Sequence, residues 1–142
     1  MNIELMLAKR QLTEDHLTCA IRKDGAVFTS TERGVKPLLG FLDEGLNLFR
    51  AYAADHVVGN GAAYLYVLLK VRAVYADVMS RPALETLNKF GIEAEYGELV
   101  DHIRNRRGDG VCPIEEAVAA AKTPTDALRR IRIRLAELNA SF

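Results

Sequence analysis

Tryptophan is absent from this chain, aromatic residues make up only 7% of it, and neither sign of charge prevails, with 19 Lys and Arg against 19 Asp and Glu. A dedicated nucleic-acid or membrane-surface protein carries a basic excess, so the balance argues against both partners. Cysteine occurs only as Cys19 and Cys112, too little for a disulfide framework, and the chain reads as cytoplasmic. The longest uninterrupted apolar run, Ala62 to Leu69, falls far short of a bilayer span. Met1-Asn2-Ile3-Glu4 sets an acid where a secretory leader needs positive charge. Neither a repeat, a low-complexity tract nor a Pro/Gly/Ser-rich linker divides the chain, so one domain over residues 1–142 is expected.

What is present is apolar material in short, ordered portions: 49% of residues are hydrophobic, enough to bury a core without metal or disulfide support. Ile3 to Leu12 predicts a helix. Leu17, Cys19 and Ile21 alternate with Thr18, Ala20 and Arg22, and Asp24-Gly25 supplies a two-residue turn. Counting back from that turn pairs Ile21 with Phe28 and puts Cys19 on the apolar face, in the core. A short helix follows over Lys36 to Glu44, with Pro37 in its first turn. Then come a strand (Ala51 to Val58), a helix apolar almost all round (Gly61 to Lys70), a strand (Arg72 to Val78), a helix (Pro82 to Phe90) and a strand (Ile92 to Tyr96). Such alternation is the mark of parallel pairing with right-handed crossovers. Two helices open at Cys112-Pro113 and Thr123-Pro124, the latter with a stripe of Leu128, Ile131, Leu135 and Leu138. The expected fold is α/β, a three-layer α/β/α arrangement on a mixed sheet, in which an antiparallel hairpin lies beside parallel strands.

This order of elements is similar to the cytidine-deaminase-like fold, whose zinc site lies at the N-termini of the two central helices. The matching places are Val58-Gly59-Asn60-Gly61-Ala62 and Met79-Ser80-Arg81-Pro82-Ala83. Arg33 to Leu38, Asp55 to Ala63, Ala76 to Ser80 and Asn105 to Glu116 also resemble an uncharacterised prokaryotic domain-of-unknown-function family within that superfamily. The resemblance runs from the hairpin to about Glu116 and implies a fold and a site location but no reaction. Relatives tend to carry lysine where this chain has Asn60, which argues against a fixed phosphate-binding cation there.

Zinc-dependent deamination needs three ligands and a proton-shuttling carboxylate. His16, His56 and His102 are followed two positions later by Thr18, Val58 and Arg104, never by Glu, and Ala83 stands where a thiolate is required. No metal and no cofactor is expected, and the chain is not read as a zinc deaminase. What remains is the binding architecture of open α/β sheets, in which ligands lie beyond the carboxyl ends of parallel strands, near helix N-termini. Gly59, Asn60 and Gly61 at one such end, and Asp77, Ser80 and Arg81 at the other, are the candidate ligand-binding residues. The alternative is structural: glycines that permit packing, Ser80 as a helix cap, Asp77 solvated.

Cys112, at a helix start that favours the thiolate, is the candidate nucleophile, although Glu115 and Glu116 in the same turn oppose it, and the plainer reading is a small residue packed before Pro113 to start the helix. Arg104, Arg106 and Arg107, and Arg33 with Lys36 around Gly34, are either anion clamps or solvated charge. Three readings stand: a binding protein for a nucleotide or other phosphorylated metabolite, a non-zinc enzyme using Cys112, and a ligand-free homo-oligomeric module.

Overall fold

The hairpin turns where its sequence dictates. Asp24 and Gly25 have φ of 48° and 83°, the mirror-image geometry that suits the twist of a two-residue connection, and Ile21 faces Phe28. The computed structural model describes residues 2–140. Its elements are α1 (Ile3–Glu14), β1 (Cys19–Lys23), β2 (Ala26–Ser30), α2 (Lys36–Asp43), β3 (Tyr52–Val58) and α3 (Asn60–Leu69). They continue with β4 (Ala73–Ser80), α4 (Arg81–Lys89), β5 (Glu93–Val100), α5 (Pro113–Val118) and α6 (Pro124–Ala140).

The strands form one mixed sheet in the order β2-β1-β3-β4-β5. β1 runs antiparallel to both β2 and β3, whereas β3, β4 and β5 are mutually parallel, with α3 and α4 as the crossovers. The fold is therefore α/β with the expected combination of hairpin and parallel strands. Side chains alternate between the two faces of a strand. Ala20 and Ala54 meet Ala8 and Leu12 of α1 on one face. Cys19, Ile21, Ala53, Val74 and Ala76 turn the other way, into the main core built with α2, α3 and α4. The near-continuous apolar surface of α3 is explained by its place: α5 and α6 pack on it from outside, and Ala127 and Ile131 of α6 are fully buried.

Some boundaries differ from the sequence expectation. β5 continues past Tyr96 to Val100, because as an edge strand it needs little apolar alternation and exposes Glu95, Tyr96, Gly97 and Glu98. The arginines of α6 form a paired, solvated face: Arg129 and Arg130 reach Asp126 and Arg132 reaches Asp43, each at 2.8 Å. Among the described residues no helix is long and apolar enough to cross a membrane.

Candidate functional site

The carboxyl end of β3 and the start of α3 open onto a cavity of about 250 Å³. Asp55 and Val57 come from β3, and Gly59, Gly61 and Ala62 from the turn into α3. Thr18 precedes β1, Arg33 to Val35 lead into α2, and Ile103, Cys112, Ile114 and Glu115 close the other side. The lining is mainly apolar with a few polar groups, the usual balance of a small-molecule pocket.

Asp55 is the most perturbed of those polar groups. It sits opposite Cys19 in the sheet, on the face that packs against α3. Tyr66 of α3 donates its hydroxyl proton to Asp55 Oδ2 at 2.8 Å, and the amide of Val57 donates to Oδ1 at 3.4 Å. With the phenolic proton so committed, Cys19 Sγ, 3.6 Å away, is left as the donor to the Tyr66 oxygen. Burial disfavours a charge here and pushes the Asp55 carboxyl up to about 6, against the hydrogen bonds from Tyr66 and Val57 that favour its ionised form. Burial first, and the charge of Asp55 second, hold the phenol of Tyr66 and the thiol of Cys19 well above their ordinary ranges. Cys19 is thus a core thiol and not a nucleophile.

Glu115 is the second buried carboxylate. It reaches back from α5 to accept the Ile103 amide at 2.6 Å and the Asn60 amide at 3.3 Å. It thereby sets a carboxyl against the first amide of α3, at the positive end of that helix. The glycines make that approach possible. A Cβ on Gly61 would lie 2.5 Å from Ile114 Cγ2, and one on Gly59 would lie 3.1 Å from Ile103 Cγ1 and 3.4 Å from Glu115 Cδ. Arg33, at the rim, makes no ion pair or hydrogen bond among the described residues.

With this geometry in place, residues 7–135 match the family described as TM1506, a domain of unknown function (DUF1893). The chain belongs to the DUF1893 family. Its fold is similar to the crystal structure of a DUF1893 family protein (TM1506) from Thermotoga maritima. That match has a TM-score of 0.82 and 25% sequence identity, over 96% of this chain and 92% of the other. No curated protein matches it.

The DUF1893 fold brings Gly59, Gly61 and Cys112 together at the cavity and sends the other four candidates elsewhere. The Asn60 side chain accepts a hydrogen bond from Thr86 of α4 at 2.5 Å. Ser80 is fully buried, and its hydroxyl accepts the Ala83 amide at 3.3 Å, a helix cap. Arg81 pairs with Asp101 at 2.8 Å on the surface. Asp77 shares the α1-covered face of the sheet with Tyr75, accepts the Tyr75 hydroxyl at 2.7 Å and pairs with His56 Nδ1 at 2.6 Å. None of these four lines the cavity. Arg104 donates to the Gly108 carbonyl within its own loop at 3.1 Å and does not line the cavity. Among the described residues no group of three or more His, Cys, Asp or Glu side chains could hold a metal ion.

Sequence reasoning passed over Asp55 and Glu115. Asp55 lies inside an apolar strand with nothing nearby in sequence to mark it, and Glu115 has the ordinary position of a first-turn helix acid.

Proposed function

We propose that this DUF1893 chain is one small cytoplasmic domain, on a deaminase-like fold without the zinc motif, that binds a nucleotide or other phosphorylated metabolite in the cavity beside α3. One observation carries the reading: an apolar chamber has a buried carboxyl, Asp55, on its wall and an unpaired guanidinium, Arg33, at its rim. The chamber suits the ring of such a ligand, Asp55 accepts an N–H or O–H from that ring, and Arg33 meets the phosphate in a charge-assisted fork. The phosphate is assigned to Arg33 because the Glu115 carboxyl already holds the Asn60 amide at the α3 N-terminus. Cys112 lines the same chamber, yet its sulfur makes no hydrogen bond to a base among the described residues, which favours binding over covalent catalysis.

A thermal-shift screen with nucleosides, nucleotides and sugar phosphates tests the proposal. A ligand at one hundred times its dissociation constant stabilises the native state by about 2.7 kcal/mol. The expected result is stabilisation by a phosphorylated compound, reduced in Arg33→Ala and in Asp55→Asn. Stabilisation by none of the panel, or stabilisation of both variants as large as that of the parent, would overturn it.

A further inference from the structure

At the other end of the sheet, where β3 and β4 begin, lies a groove of about 510 Å³ unrelated to the cavity beside α3. We propose that this groove is a second ligand site, which takes a phosphate-bearing aromatic ring between the guanidinium groups of Arg50 and Arg72 and the face of Phe49.

Two backbone hydrogen bonds set these arginines side by side. The Arg50 amide donates to the Lys70 carbonyl and the Arg72 amide to the Ala51 carbonyl, each at 2.8 Å. Neither guanidinium has an ion-pair or hydrogen-bond partner among the described residues. Elsewhere the arginines are mostly spoken for: Arg22 holds Glu4, Arg81 holds Asp101, and Arg129 and Arg130 share Asp126. Two free guanidinium groups from separate loops therefore face one groove.

Its remaining charges cancel and leave the net positive sign to Arg50 and Arg72. Lys23 adds a cation, anchored to the Asn47 carbonyl at 3.0 Å. Of the two acids on the lining, Glu4 is neutralised by Arg22 at 3.1 Å, and Asp24 stands on the hairpin turn. Phe49 is 55% exposed, unusual for a phenylalanine, and the Arg50 guanidinium carbon lies 6.0 Å from its ring centroid. Tyr52 contributes a second ring. Guanidinium forks match phosphate oxygens, and an open aromatic face accepts a flat ring at little entropic cost. A groove of this volume, bounded by the hairpin turn, suits one ring with its phosphates and not a polynucleotide strand.

The test is an amide-resolved NMR titration of the full chain with adenosine diphosphate and, separately, with inorganic pyrophosphate. Saturable shifts at Phe49, Arg50 and Arg72 are expected with both. The Arg50→Gln/Arg72→Gln variant, whose changes are at exposed side chains, should keep its melting temperature and bind both compounds at least about tenfold more weakly. Phe49→Ala should weaken binding of the nucleotide several-fold and leave pyrophosphate unchanged. Shifts confined to residues around Gly59, no shifts at all, or a double variant that titrates like the parent would overturn the site. Equal losses for both compounds in Phe49→Ala would overturn the stacked ring. Because the reporters of the two pockets are distinct, failure here and failure of the α3 cavity are separate results.

Discussion

Asp55 is a carboxyl that folding makes expensive to ionise, and this has a measurable consequence. Below about pH 4 it is protonated in the folded and the unfolded chain alike, and costs nothing. Between about 4 and 6 the unfolded chain has released the proton while the folded one still holds it, so stability falls as pH rises through that window. Above about 6 the loss is complete, on the order of 3 kcal/mol. Asp55→Asn keeps the shape and an acceptor for Tyr66 but cannot ionise. In denaturant unfolding from pH 4 to 7, the parent should lose about 3 kcal/mol relative to this variant. Parallel pH profiles would mean that Asp55 is not held in this way. At this scale the sequence was legible only in part. Cys19 could be placed in the core from strand alternation, and Gly59 and Gly61 at the cavity from their position at a helix start, but nothing in the sequence says that the loop before α5 brings Cys112 to the same cavity. Asp77 could not be placed, because a strand end alone does not say which face of the sheet a side chain takes, and it lies on the face away from the main core.

At the scale of elements, the cavity depends on how closely α5 can approach α3. Gly61 is where that approach is tightest, since any side chain there meets the β-branched Ile114 at its stiff end. Gly61→Ala should destabilise the protein by about 1–3 kcal/mol, as overpacking does. Ile114→Ala in the same chain should recover part of that loss, which a double-mutant cycle of chemical unfolding measures as a favourable coupling. Additive effects would show that the two residues do not share the contact. The glycines thus serve packing first: they admit Ile114 and let Glu115 reach the amides of Asn60 and Ile103. The elements themselves were the most readable level. Asp24-Gly25 set the hairpin register, and the alternation of apolar strands and helices set the parallel portion. β5 was read short because an edge strand rich in glutamate carries no apolar signature.

For the molecule as a whole, two regions of unpaired positive charge lie at opposite ends of β3 in a chain whose formal charge is zero. Arg33 belongs to the cavity beside α3, and Arg50 with Arg72 to the groove at the start of β3 and β4. The sequence marked the first end, because ligands of open α/β sheets gather beyond the carboxyl ends of parallel strands. The second end has no such rule, since it arises only when two loops far apart in sequence fold side by side. The two cysteines supply a direct probe of the first. Cys19 is buried with its thiol proton held tightly, whereas Cys112 is partly exposed on the cavity wall. A disulfide reagent should therefore modify Cys112 selectively, at a rate set by access to the cavity. The decisive measurement is that rate with and without nucleoside monophosphates and sugar phosphates at millimolar concentration. If the cavity holds a phosphorylated metabolite, at least one of these compounds slows modification of Cys112 several-fold in the parent and fails to do so in Arg33→Ala. Unchanged rates across the whole series would contradict the assignment of the cavity as the binding site.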